Sequence, residues 1–419
     1  MAHAMGDPQA MHRQLSLRLN EALGRAPVVI VCGARQVGKS TLVQGFEGAA
    51  GRHYLTLDHL PTLARARGAP ETLVLEEPRL TIDEVQRAPD LLLAVKYVVD
   101  REKRPGQFLL TGSANLLLTR TSGESLAGRA QYLTLRPMTA READRRPLTN
   151  VWSALLDATD AEDALARLEP ALELDWRERA LRGGFPPAAL ASSTTERTQW
   201  LEDYAATYLR RDLRELARID DLPGFGRLMQ LAALRTGGLL NQTDLARDAA
   251  LARSTTQRWL SLLEATYLAT LVPAFFESRS RRLIASPKLY PGDTGLALHL
   301  CGVSTVEELD RLPRPGAWLE AWLLNELLVS LENRTPRPVL HHFRTETGLE
   351  IDFVLEAGRR RLPIEVKSSP SARPEDAKVL EQFCAEHGER APFGLVIHTG
   401  KDAHRLTAHT LAVPLGAVV

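Results

Sequence analysis

Two stretches of this chain carry residues whose types and spacing suit chemistry on phosphate. The first is Gly33-Ala34-Arg35-Gln36-Val37-Gly38-Lys39-Ser40-Thr41, which fits G-x-x-x-x-G-K-[ST]. Glycines let backbone N–H groups turn inward around phosphate oxygens, and the helix start behind them adds its positive end. Lys39 is placed to reach the β- and γ-phosphates of ATP, and the Ser40 hydroxyl to ligate Mg²⁺. Such a loop needs an acidic partner, and Leu80-Thr81-Ile82-Asp83-Glu84 supplies one. Asp83 is expected to hold Mg²⁺, mainly through water, and Glu84 to polarise the attacking water. Two carboxylates at the end of an apolar strand call for a cation. The next apolar segment ends in Thr111-Gly112-Ser113-Ala114-Asn115. Ser113, with Asn115 as the alternative, is the candidate γ-phosphate sensor. Arg129 has two readings: an arginine finger, in cis or from a neighbouring copy in a homo-oligomer, or a surface salt bridge.

The second stretch lies near the C-terminus. Leu349 to Glu356 and Leu362 to Lys367 alternate like strands, with Gly358-Arg359 between them. A two-residue turn with Gly first suits type II′ and sets the register. That register puts Asp352 opposite Glu365, with Cβ atoms about 4.5–5.5 Å apart. Lys367 shares the face of Glu365, while Ile351, Phe353, Leu355, Ile364 and Val366 form the core face. Facing carboxylates repel unless a cation lies between them. Asp352 and Glu365, with the Val366 carbonyl, are the expected Mg²⁺ ligands, and Lys367 the residue that orients or deprotonates a water. This is the D…E-x-K pattern of PD-(D/E)XK nucleases, which it resembles. Such nucleases often add a glutamate from a helix. Glu320, in Gly316-Ala-Trp-Leu-Glu320, is the first choice, and Glu326 the second. The other reading is a surface hairpin with a salt bridge from Lys367.

The elements that must position these residues are legible as patterns. Residues 27–33 form a β-branched apolar run, the mark of a strand buried on both faces. Further strands are expected at 52–58, 79–83, 107–112 and 131–135, with a helix at 91–100. Strands alternating with helices predict a parallel sheet covered on both sides. The chain is helix-rich from about 150 to 215 and mixed again after 316. Between these, Leu239–Asp248 and Ser254–Thr266 read as two helices in helix-turn-helix order, with a strand at 267–276 and a wing at 277–282. The second helix would present Thr255, Thr256 and Arg258 to DNA bases. Arg279, Arg281, Arg282 and Lys288 would contact phosphates.

Composition sets the bounds. The 419 residues are 44% hydrophobic and 25% charged, which excludes a disordered or fibrous chain. Lys plus Arg and Asp plus Glu each number 52, so any nucleic-acid binding must come from local patches. Only seven residues are lysine, and Lys39 and Lys367 are two of them. No apolar run approaches the ~18 residues that span a bilayer. The absence of a charged leader before an apolar stretch leads us to expect a cytoplasmic protein. Cys32, Cys301 and Cys384 are too scattered for a disulfide framework or a zinc cluster.

The phosphate loop, Ile82–Gln86 (IDEVQ), Leu110–Asn115 (LTGSAN) and Glu124–Arg129 (ESLAGR), with Leu289–Ala297 (LYPGDTGLA) and Glu365–Ser369 (EVKSS), resemble a family of bacterial and archaeal AAA-type ATPases. In that family the ATPase is followed by a C-terminal domain of unknown function. The resemblance implies ATP binding and a C-terminal fold related to PD-(D/E)XK nucleases. One departure is Ser113, where many AAA proteins place Asn. The expected fold is α/β. A P-loop AAA-type ATPase domain at 1–145 precedes a helical lid at 146–222, a winged-helix-like domain at 223–285 and a nuclease-like α/β domain at 286–419. Two functions compete. One is an ATPase whose nucleotide state controls a nucleic-acid-binding or nuclease module. The other is an ATP-dependent switch whose nuclease-like domain binds DNA or a partner protein without chemistry.

Overall fold

The computed structural model describes residues 13–112, 126–207, 219–345 and 348–419. They form two compact units, one holding residues up to Leu148 with Ala265–Leu268, the other Thr149–Glu264 and Ala269–Val419.

The first unit is built on five strands: β1 (Val28–Gly33), β2 (His53–Thr56), β3 (Leu80–Asp83), β4 (Phe108–Gly112) and β5 (Ala130–Leu135). Their order is β2-β3-β4-β1-β5 and every pairing is parallel. β1 is flanked by β4 and β5 and is buried along its whole length, as its apolar run requires. Helix Leu91–Arg101 covers the sheet with Leu91, Leu92, Val95, Val98 and Val99. Each fully buried aliphatic side chain of this kind contributes roughly 1.5–3 kcal/mol. Because the strands run in parallel, Gly33, Asp83 and Gly112 end at one edge of the sheet, where open α/β sheets bind ligands.

The second unit contains the helices Val151–Asp157, Ala161–Ala166, Trp176–Arg182, Pro186–Ala189 and Thr194–Thr207, the segment expected as a lid. Buried Asp293 ties part of it down. Its carboxylate accepts from Leu296 N at 2.8 Å, capping helix Thr294–Leu300, and from Gly184 N at 2.6 Å. Helix Leu222–Leu234, β6 (Gly238–Leu239), helices Gln242–Asp248 and Arg253–Ala265, β7 (Ala269–Val272) and β8 (Lys288–Pro291) follow in that order. β8 lies between β6 and β7, antiparallel to both. Asn241 starts the first of the paired helices by accepting from Thr243 N and Asp244 N, each at 3.1 Å. The expected wing at 277–282 is not extended. Arg279–Ile284 is helical, because its residues lack the alternation that would give a strand a buried face.

The rest is a six-stranded sheet of β9 (Val339–Arg344), β10 (Glu350–Ala357), β11 (Arg360–Val366), β12 (Gly394–His398), β13 (His404–Arg405) and β14 (Thr410–Pro414). The order is β13-β14-β12-β11-β10-β9, with parallel pairing of β11 to β12 and β12 to β14. The β10–β11 ladder runs from Ala357↔Arg360 to Phe353↔Ile364, the register that the Gly358-Arg359 turn predicts. Gly358 has φ 63°, which a side chain would resist. Helix Gly316–Glu332 carries the candidate glutamates.

Candidate functional site

At the edge of the parallel sheet, the chain leaves β1 through Gly33 and enters helix Lys39–Gly45. Gly38 has φ 98°, and Gln36 also has a positive φ, so the loop curls back on itself. A Cβ on Gly33 would lie 2.3 Å from the Leu135 carbonyl of β5, so no side chain fits there. Lys39, only 5% exposed, points into the loop and donates to the carbonyls of Gly33 at 3.2 Å and Ala34 at 2.9 Å. Burial lowers its pKa, against the raising effect of Glu84, Cys32 and Asp83. Burial pushes the neighbouring Cys32 thiol up to about 12, so it is unreactive.

Asp83 ends β3 under three hydroxyls. Ser40 Oγ donates to its Oδ2 at 2.8 Å, Tyr54 OH to the same oxygen at 2.9 Å, and Thr111 Oγ1 to Oδ1. Glu84 follows in the left-handed region at φ 59°, with its N–H donating to Thr111 Oγ1 at 3.1 Å and its carboxylate accepting from Gln86. The Ser40 and Asp83 oxygens fit Mg²⁺. Mg²⁺ keeps several of its waters, so Ser40 would bind the ion directly and Asp83 would accept hydrogen bonds from those waters. The structure thus gathers Lys39, Ser40, Asp83 and Glu84. Ala34, Arg35, Val37 and Thr41 lie in the same loop and helix. Ser113 and Asn115 lie outside the described residues. Arg129 is paired with Asp100 across two nitrogens, one at 3.0 Å, which is the surface salt bridge of its second reading.

Three residues here were not anticipated. Tyr54 and Thr111 share Asp83, and the only sequence signal was a polar side chain within β2 and another near the end of β4. Arg13, 2% exposed, donates to Val37 O at 3.0 Å, bridges to Arg136 O and pairs with Glu142 at 3.1 Å. It fixes the loop from a segment with no motif.

The C-terminal constellation is assembled, with an addition. Asp352 Oδ2 accepts from the N–H of Val366 at 3.0 Å, where the carbonyl of that residue had been the expected partner of a metal. Glu365 Oε1 accepts from Lys367 Nζ at 2.8 Å, and Lys367 also lies 3.8 Å from Asp376. Glu320 accepts from Tyr290 OH at 3.1 Å. Into the centre comes Lys288 from β8, 2% exposed. Its Nζ lies 3.1 Å from Asp352 Oδ1, 3.7 Å from Glu320 Oε2 and in contact with Glu350. Burial lowers the pKa of Lys288, but Asp352, Glu320 and Glu350 outweigh it and the net shift is upward. Burial and the Asp352 charge hold Glu320 and Glu365 well above the usual carboxylate range. Glu326 is buried within the apolar stripe of its helix. Among the described residues, no group of three or more His, Cys, Asp or Glu is arranged to hold a metal ion. The C-terminal residues therefore do not fit Mg²⁺ as they stand, since the Lys288 ammonium sits among Glu320, Glu350 and Asp352 where the ion would lie.

The expected DNA face is corrected in part. Thr256 is fully buried and donates to Ala252 O at 3.2 Å, so it reads no base. Thr255 is half-buried, and Gln257 and Arg258 are exposed. Lys288 is buried among carboxylates, and Arg282 makes a two-nitrogen pair with Glu356 at 2.5 and 3.2 Å. Neither is free for phosphate. Arg281 is exposed.

Comparison with known proteins adds identity to this geometry. The model of the AAA domain matches residues 25–143, that of DUF8612, a domain of unknown function, 173–307, and that of DUF4143, another domain of unknown function, 315–418. An uncharacterized protein of Mycobacterium tuberculosis is 32% identical over 363 residues, covering 86% of this chain and 75% of the relative. The same figures hold for an uncharacterized protein of Mycobacterium bovis. Among solved structures, a Walker-type ATPase of Pyrococcus abyssi is similar over 71% of this chain and 96% of its own, at 14% identity and a TM-score of 0.39. No helix among the described residues is long and apolar enough to cross a membrane.

Proposed function

Because this chain belongs to one family with its two mycobacterial relatives and matches the AAA-domain model over residues 25–143, we propose that it hydrolyses ATP and that its nucleotide state controls the second unit as a DNA-binding module without nuclease chemistry. The observation that carries the ATPase reading is the convergence of Lys39, Ser40, Asp83 and Glu84 on one sheet edge, with Ser40 Oγ 2.8 Å from Asp83. Lys39 exchanges its loop carbonyls for β- and γ-phosphate oxygens. Mg²⁺, held by Ser40 and through water by Asp83, would supply positive charge to the phosphoryl oxygens. Glu84, fixed by Thr111 and Gln86, accepts a hydrogen bond from the attacking water and orients it.

The DNA reading is supported by element order. Helix, short strand, two helices and two further strands follow one another from Leu222 to Pro291 in the order of a winged helix, with the short helix Arg279–Ile284 between the last two strands where a wing would stand. Arg253, Gln257 and Arg258 are exposed on its second paired helix. The absence of cutting is supported by Lys288, whose ammonium holds the carboxylates that a nuclease would give to metal.

The test is ATP hydrolysis with Mg²⁺, with and without mixed DNA, with cleavage followed on the same gel. We expect hydrolysis that is lost in Lys39→Ala and DNA that stays intact. DNA cleavage that disappears in Asp352→Ala and Lys367→Ala would establish a nuclease instead. An unchanged ATP affinity in Lys39→Ala would refute the nucleotide site.

A further inference from the structure

The carboxylates of the C-terminal cluster come from three places: Glu320 on helix Gly316–Glu332, Glu350 and Asp352 on β10, and Glu365 at the end of β11. Four carboxylates brought this close are mutually repulsive and need positive charge among them. A two-metal or one-metal nuclease supplies that charge with a divalent ion. Here a lysine 64 residues away from Asp352 in sequence supplies it.

We propose that the Lys288 ammonium is the resident cation of this cluster in place of a divalent metal, and that it pins β8 to the six-stranded-sheet domain. The geometry is specific. Nζ carries three protons, and three carboxylates, those of Glu320, Glu350 and Asp352, lie around it. Both oxygens of Asp352 have a donor inside the chain, Oδ1 the Lys288 ammonium and Oδ2 the Val366 N–H. Tyr290, two residues along the same strand, donates to Glu320 at 3.1 Å, so β8 is joined to the cluster at two points. The nearest sequence candidate for a water-activating lysine, Lys367, is engaged by Glu365 and Asp376 instead. A cation that is covalently part of the chain cannot exchange. The site is thus closed to metal while β8 stays in place, and the same carboxylates would accept an ion once the amine is removed. This inference rests on reading the cluster as nuclease-like in layout, but not on any cleavage activity.

The test uses Mn²⁺ alone, in the full chain, with Asp83→Asn present throughout to remove the nucleotide-site metal. Bound Mn²⁺ is counted by electron paramagnetic resonance, and thermal unfolding is followed with and without the ion. We expect no Asp352-dependent Mn²⁺ in the chain that retains Lys288, so adding Asp352→Asn changes nothing in the count. Lys288→Met should melt at lower temperature, gain one Mn²⁺ per chain and recover its melting temperature as the ion is added. Combining it with Asp352→Asn should abolish both gains. Mn²⁺ that binds with Lys288 present and is lost in Asp352→Asn would overturn the proposal. So would a folded Lys288→Met that binds none. If Lys288→Met does not fold, the comparison with Asp352→Asn decides alone. ATP hydrolysis by the chain without Asp83→Asn is a separate readout, and its failure would remove the ATPase reading while leaving this one standing.

Discussion

Replacing Lys39 with methionine separates what the residue does for nucleotide from what it does for the fold. Its amine is buried and donates to two loop carbonyls, at 3.2 and 2.9 Å. In the nucleotide complex those two donor positions serve charged phosphate oxygens, and hydrogen bonds to charged groups are worth about 1.5–3 kcal/mol each. Two of them give about 3–6 kcal/mol, or roughly 10²–10⁴ in Kd at 1.4 kcal/mol per decade. Isothermal titration with Mg²⁺·ATP should therefore show a loss of that size. Thermal unfolding of the free protein should move the other way or not at all, because burial already disfavours the charged amine, as its lowered pKa records. The same shift sets a pH dependence. Only the ammonium binds phosphate, and its pKa is lowered in the free protein, so raising the pH through that lowered value empties the binding form. ATP affinity should fall with rising pH, and binding should take up protons, measurable as a buffer-dependent enthalpy. Unchanged affinity in Lys39→Met would refute the site. A large drop in melting temperature would show that the amine stabilises the loop rather than waiting for phosphate.

Tyr54→Phe removes one of the three hydroxyls on Asp83 and should lower kcat by about 10-fold, corresponding to the lower end of a hydrogen bond to a charged group, with ATP affinity unchanged. Steady-state hydrolysis beside nucleotide titration checks the split, and a rise in Kd alone would mean that Tyr54 only shapes the pocket. Asp293→Ala leaves the N–H groups of Leu296 and Gly184 without their acceptor and should cost about 2–4 kcal/mol in denaturant unfolding. Asp293→Asn should cost much less, since Asn also caps. Burial raises the pKa of Asp293 above its unfolded value. The wild type should thus lose stability relative to Asp293→Asn as pH rises through that raised value. Arg258→Ala should weaken DNA binding by about 1–3 kcal/mol and relax its sequence preference, whereas Thr256→Val, inside the core, should leave DNA binding unchanged. Equal effects of the two substitutions would reject the exposed face of helix Arg253–Ala265 as the DNA surface.

What was legible in the sequence was what depends on near neighbours. The buried run of β1, the phosphate loop behind it and the carboxylates ending β3 are each encoded within a few residues, and the structure has those elements within one or two positions of where they were expected. The hairpin register followed from two turn residues, because a two-residue connection leaves the strands only one way to pair. The ownership of a charge is different. Arg281, Arg282 and Lys288 look alike in sequence, a basic run suited to phosphate, yet they end in three environments. Arg281 is exposed, Arg282 is taken by Glu356, 74 residues on, and Lys288 by carboxylates 32 to 64 residues on. No periodicity carries that information, because an ion pair needs two ends to meet in space and imposes no spacing along the chain. Asp83 shows the same limit on a smaller scale. Its motif announced the acid, while two of the hydroxyls that hold it, from Tyr54 and Thr111, come from the neighbouring strands β2 and β4 and became visible only once the strand order was known. For the C-terminal cluster this difference reverses the chemistry. The local pattern D…E-x-K called for an external cation, and a residue outside the pattern had already supplied one. A motif of like charges is therefore complete only when the nearest opposite charge in the fold has been found, and in this chain that charge is Lys288.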